Sequence, residues 1–244
     1  MNRHKVIPWL RGASDRKCDP ATALRRRATL RRKRLTAKLP ETHRTSSIQN
    51  SISDMSEYLQ QRPEEVGALH TQATLLIHSN RIEDAKALLE KALRIDKTHV
   101  PSLIDLANVL IKMKKGATAL KFASAAVSLS PHSSIAYQTV AAALARMEKY
   151  GPALKACKKA LYYAEIHQNE YQLASVHKSI ASLYLVQGKT NASIPHLKTA
   201  IRLSPNDTHN YTKLSLSLVS EGRLSESHAY MKKLNDLTGK KYLR

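Results

Sequence analysis

A chain of 244 residues with 42% hydrophobic content can build a packed core, yet no stretch approaches the roughly 20 apolar residues of a membrane span. Forty Lys and Arg against 19 Asp and Glu leave a formal net charge of +21, which fits an anionic partner. Two cysteines, Cys18 and Cys157, lack any CxxC spacing, which excludes a disulfide framework and suits a reducing intracellular compartment.

The charge is uneven. Residues 1–45 hold 14 cations against Asp15, Asp19 and Glu41, a surplus of 11 and about half the total in a fifth of the length. Seven of the ten residues 25–34 are cationic: Arg25, Arg26, Arg27, Arg31, Arg32, Lys33 and Arg34. Such a block repels itself and buries too little apolar surface to fold alone, so 1–45 reads as a basic, largely unstructured arm. Leu24, Ala28, Leu35 and Leu39 share one helical face, which lets 21–39 form a basic helix against a partner. Clustered arginines neutralise phosphates and release counterions, so RNA is one candidate partner, contacted through its backbone. Trp9 is the arm's one aromatic, too few for base stacking. The same composition serves as a nuclear address, as a mitochondrial transit segment or as a solubilising tail. No apolar run of a secretory signal follows Met1, so secretion is not expected.

A short helix is predicted over 48–61, with Ile52, Met55 and Leu59 on one face and Pro63 behind it. It reads as a capping element, residues 46–65. From there a unit of 34 residues recurs. Ala85, Ala119 and Ala153 are one period apart, as are Ser193 and Ser227, and Ala92, Ala126, Ala160 and Ala200 follow seven residues after the first four of these. Upstream of each lies a helix of matching design, with Ala73, Ala107, Ala141, Ala181 and Ser215 at its centre. A stripe at helical spacing must be buried, and two short helices cannot bury both stripes alone, so neighbouring units stack. Alanines mark the helix crossings, and Ala141 has no room there for added volume.

These units resemble tetratricopeptide (TPR) repeats. The family's turn glycine is matched by Gly188, Gly222 and Asn80, and its closing proline by Pro131 and Pro205. Lys97 and Glu165 replace that proline, and His177 replaces the usual bulky apolar residue of repeat four. The resemblance implies an all-α, right-handed superhelical solenoid of antiparallel helix pairs, with repeats at 66–99, 100–133, 134–167, 174–207 and 208–241, about 70% of the chain. About six extra residues near Gln168 to Leu173 lengthen the helices between repeats three and four.

In the family, exposed residues of the first helices line a concave groove that holds a peptide or helix of a protein partner. Carried over, the groove residues are His70, Thr74, Ile104, Asn108, Gln138, Ala142, Lys178, Ser182, Thr212 and Leu216. One subclass clamps a chaperone's C-terminal carboxylate. Here the matching places hold His70 and Thr74, followed by Asp105, which repels a carboxylate. Gly188-Lys189-Thr190 ends like a phosphate-binding loop, but its upstream glycine position is Leu183 inside a helix. No metal-ligand spacing, cofactor motif or catalytic constellation appears, so the expected role is a non-enzymatic scaffold, a subunit of a large complex such as a ribonucleoprotein. The final helix, about 224–237, has only seven residues after it, too few for a further capping helix. Met231 and Leu234 are therefore expected to be partly exposed and to dock on another subunit.

Overall fold

The computed structural model describes residues 41–239. The basic cluster from Arg25 to Arg34 and the last five residues lie outside that range. Eleven helices and short turns make up the described residues, which fall into two compact units, 41–95 and 96–239.

In the first unit α1 (Glu41–Gln61) packs on α2 (Val66–His78), which pairs with α3 (Ile82–Ile95). Ile48, Ile52, Met55 and Tyr58 recur every three or four residues along α1, and all are buried. Leu59 is only half-buried, so Tyr58 takes much of the role expected of it. The Tyr58 hydroxyl donates to Glu65, and Gln72 donates to Ser56 Oγ at 2.7 Å, tying α1 to α2. The helix begins some seven residues earlier than the apolar pattern indicated, because its first two turns carry no apolar stripe to read.

The second unit holds four helix pairs: α4 (Val100–Lys112) with α5 (Gly116–Leu129), α6 (Ser134–Arg146) with α7 (Tyr150–Ile166), α8 (Glu170–Val186) with α9 (Thr190–Leu203), and α10 (Thr208–Ser220) with α11 (Leu224–Thr238). Consecutive helices pack against each other, and α6 also touches α4 and α8. The first helices thus lie side by side. The extra residues near Gln168 extend α7 and α8 to 17 residues each, against 13 or 14 in the pairs before them, and α8 starts at Glu170, four residues before the expected start of repeat four.

The two helices of every pair meet through one kind of turn. The first helix ends in a residue with left-handed backbone: Asn80, Lys114, Glu148, Gly188 and Gly222, with φ of 61°, 64°, 61°, 70° and 73°. The next amide then donates back to the helix, as Arg81 does to the Leu76 carbonyl at 2.9 Å. Lys114 and Glu148 hold this conformation without being glycine, which is why composition alone does not reveal their turns. Side chains cap the first helices α6, α8 and α10: Ser133, Asn169 and Asp207 accept from the Ala136, Gln172 and His209 backbone amides.

The small residues sit where the repeat pattern placed them. Ala73, Ala107, Ala141, Ala181 and Ser215 are buried, as are Ala85, Ala119, Ala153, Ser193 and Ser227. Ser215 stands where four other pairs carry alanine, and its Oγ has no hydrogen-bond partner. An orphaned hydroxyl costs stability. Ser215→Ala is expected to raise stability by about 1 kcal/mol, read as a higher thermal midpoint, and a lower midpoint would show that the hydroxyl does find a partner.

Leu234 corrects an expectation. It occupies the position of Ala92, Ala126, Ala160 and Ala200 in the last pair, and is 3% exposed among Tyr211, Leu214 and Leu218. Met231 is half-buried against the same cluster. The exposed apolar residues of α11 are instead Leu224 and Leu237.

Candidate functional site

Three of the first helices, α6, α8 and α10, surround a cavity of about 710 Å³ in the second unit. The helix period explains the assembly. Gln138, Ala142 and Arg146 are spaced by four along α6, and Lys178, Ser182 and Val186 repeat that spacing along α8. Ala141, Ala142, Ala145, Leu183 and Val186 form an apolar wall, and His209 and Lys213 close the far side from α10. Small side chains on α6 let an incoming chain approach the helix backbone closely.

The polar groups are cross-linked between helices. Lys178 Nζ reaches Asp207 Oδ2 at 3.1 Å, and Lys213 Nζ donates to Ser182 Oγ at 2.9 Å. Gln138 Oε1 accepts from Ser175 Oγ at 2.8 Å. Burial holds the Lys213 ammonium below the usual lysine range; the neighbouring Lys178 adds to the shift, and Asp207 opposes it. Two cations thus share a partly desolvated wall, with Arg146 exposed at the rim and Glu148 as the acid lining the same space. Cys157 also lines the cavity, and burial pushes its thiol up to about 12, so it stays protonated and packs as a small apolar residue.

Of the ten expected groove residues, the cavity brings together Gln138, Ala142, Lys178 and Ser182. Ile104 and Asn108 on α4 are half-buried outside its lining, and Thr212 and Leu216 are exposed on α10 beyond it. His70 and Thr74 belong to the first unit, both half-buried. Arg146, Glu148 and Lys213 are charged lining residues that the family positions did not include. Arg146 continues the four-residue spacing of Gln138 and Ala142 by one more turn, a signal present in the sequence. Lys213 lies one residue beyond the expected Thr212, on a flank that only the packing of α10 against α8 turns inward.

Among the described residues no group of three or more metal-ligating side chains occurs, and no helix is long and apolar enough to cross a membrane. Residues 76–144 match the family model described as tetratricopeptide repeat. No curated protein matches the chain. Its backbone resembles a tetratricopeptide repeat protein from Parabacteroides merdae, with a TM-score of 0.68 at 14% identity over 90% of this chain and 87% of that one. A thermophilic TPR protein of Thermus thermophilus gives 0.67 at 12% identity, over 80% of this chain and 99% of that one. PilF of Pseudomonas aeruginosa gives 0.62 at 17% identity, over 74% and 79%. The chain has the helix-pair fold of these proteins.

Proposed function

We propose that this TPR-fold chain is a non-enzymatic scaffold whose α6–α8–α10 cavity holds a peptide or helix of a protein partner. The observation that carries this reading is the meeting of Gln138, Ala142, Lys178 and Ser182, with Lys213 bonded to Ser182, around one open space. An occupant places apolar side chains on the alanine-rich wall and an anionic group toward Lys178 and Lys213. The basic arm ahead of α1 tethers the scaffold to an anionic surface, RNA of a large assembly being the partner its arginine density suits.

Affinity capture with the full chain tests the cavity. The double variant Lys178→Glu, Lys213→Glu is expected to lose the protein partners that the wild type retains, because reversing a partly desolvated charge contact costs about 2–5 kcal/mol. An unchanged set of captured proteins would refute the reading. For the arm, replacing Arg25, Arg26, Arg27, Arg31, Arg32 and Arg34 by alanine should flatten the salt dependence of RNA retention. Cleavage of the mature N-terminus near 35–45 would instead mark the arm as a targeting segment.

A further inference from the structure

We propose that the exposed face of α7 is a separate contact for single-stranded RNA, with Lys155, Lys158 and Lys159 on the phosphates and a base stacked on Tyr162. This stands apart from the cavity, which none of these four residues lines. It shares with the arm only the class of partner.

Lys155, Lys158, Lys159 and Tyr162 follow one another at i, i+3, i+4 and i+7, which gathers them on one helical face. All three lysines are exposed, and no ion pair between described residues engages them. Glu165 is the one acid on α7, so the helix carries a surplus of two positive charges. Lys121 on α5 stands one 34-residue period before Lys155 and is also exposed.

Tyr162 is 59% exposed, so its ring is open to a stacking partner. Its position is nonetheless braced. It meets Tyr163 edge-on at 5.3 Å, and Tyr163 is itself pinned between Tyr137, stacked at 5.6 Å, and His132, edge-on at 5.2 Å. Lys159 Nζ lies 5.5 Å from the Tyr137 ring, which keeps its charge beside the cluster. A ring held this way loses little freedom when a base stacks on it. Interfaces between proteins are depleted in lysine, whereas a row of lysines beside an open aromatic ring serves a phosphate backbone and its bases together. The arm has phosphate-binding charge and almost no aromatic surface; α7 supplies what it lacks.

The test is fluorescence anisotropy of the full chain with labelled oligo(U) of about twelve nucleotides. Tyr162→Ala should weaken binding roughly 5- to 100-fold, while Tyr162→Phe should retain it. Replacing Lys155, Lys158 and Lys159 by alanine should lower the slope of log affinity against log salt by about 2. Both changes are expected with the arm intact and again with its six arginines replaced, which separates this face from the arm. Circular dichroism should be unchanged, since the four side chains are exposed. Affinity that is indifferent to the tyrosine and lysine variants, or no oligo(U) binding at all, would overturn the proposal. So would variants that keep oligo(U) binding but lose binding to phosphatidylserine vesicles, which would make the face a membrane contact.

Discussion

Ala181→Leu is expected to destabilise the chain by about 1–3 kcal/mol, a fall of roughly 2–12 °C in thermal midpoint. Ala181 is fully buried at a helix crossing, in the cluster that holds Ile194, Leu197, Tyr211 and Leu214. Three added carbons have no neighbouring void to enter, so the backbones of α8 and its partners must separate. Ala141 holds the same place in the pair before, but, against the expectation that it has no room for added volume, it borders the 710 Å³ cavity. Ala141→Leu therefore has somewhere to project and should cost less than Ala181→Leu, while filling part of the cavity. Equal unfolding curves for wild type and Ala181→Leu would remove the crossing from the packing described here. A larger penalty at Ala141 than at Ala181 would mean that the cavity wall is tighter than its lining implies.

The helix pairs were legible because their signal is redundant. Ala85, Ala119 and Ala153 fall one period apart, and each is buried for the same reason, that a crossing admits no larger side chain. Turn chemistry was only partly legible: Gly188, Gly222 and Asn80 announce left-handed backbone, whereas Lys114 and Glu148 adopt it under tertiary constraint. The cavity was half legible. Gln138, Ala142, Lys178 and Ser182 hold repeat positions that the resemblance to TPR repeats marks as groove positions. Lys213 is invisible to that argument, because which flank of a helix faces a neighbour depends on crossing geometry. Leu234 was misjudged for a related reason. Its exposure was inferred from the missing next repeat, but a leucine at an alanine position changes the shape of the surface being exposed. The shared face of Lys155, Lys158, Lys159 and Tyr162 was legible from helical spacing, whereas the contacts that hold Tyr163 beside Tyr162, from Tyr137 on α6 and from His132, came only from packing.

Lowering the pH from 7.5 toward 5 is expected to loosen the α8–α9 pair through His177 and His196. Their Nδ1 atoms lie 3.0 Å apart with ring centroids at 5.2 Å, so the nitrogens face each other nearly along the line between the rings. One ring donates and the other accepts, an arrangement that requires at least one neutral imidazole. Burial lowers the pKa of His177, with His196 and Arg202 adding to the shift, and burial lowers that of His196, whose other face meets the Tyr184 ring. The sign follows from proton counting. Both folded values lie below the ordinary 6.5, so the unfolded chain binds more protons as the pH falls through 6.5, and stability present above that point is lost below it. Repeat five offers the control. Tyr211 and Tyr230 occupy the equivalent places, 34 residues on, with ring centroids 6.3 Å apart and no charge to acquire in this range. The double variant His177→Tyr, His196→Tyr should therefore keep its thermal midpoint better than the wild type between pH 7 and 5, most visibly in amide exchange of α8 and α9. Parallel pH profiles for the two proteins would show that the rings separate freely on protonation, without opening the helix pair that carries Lys178 and Ser182.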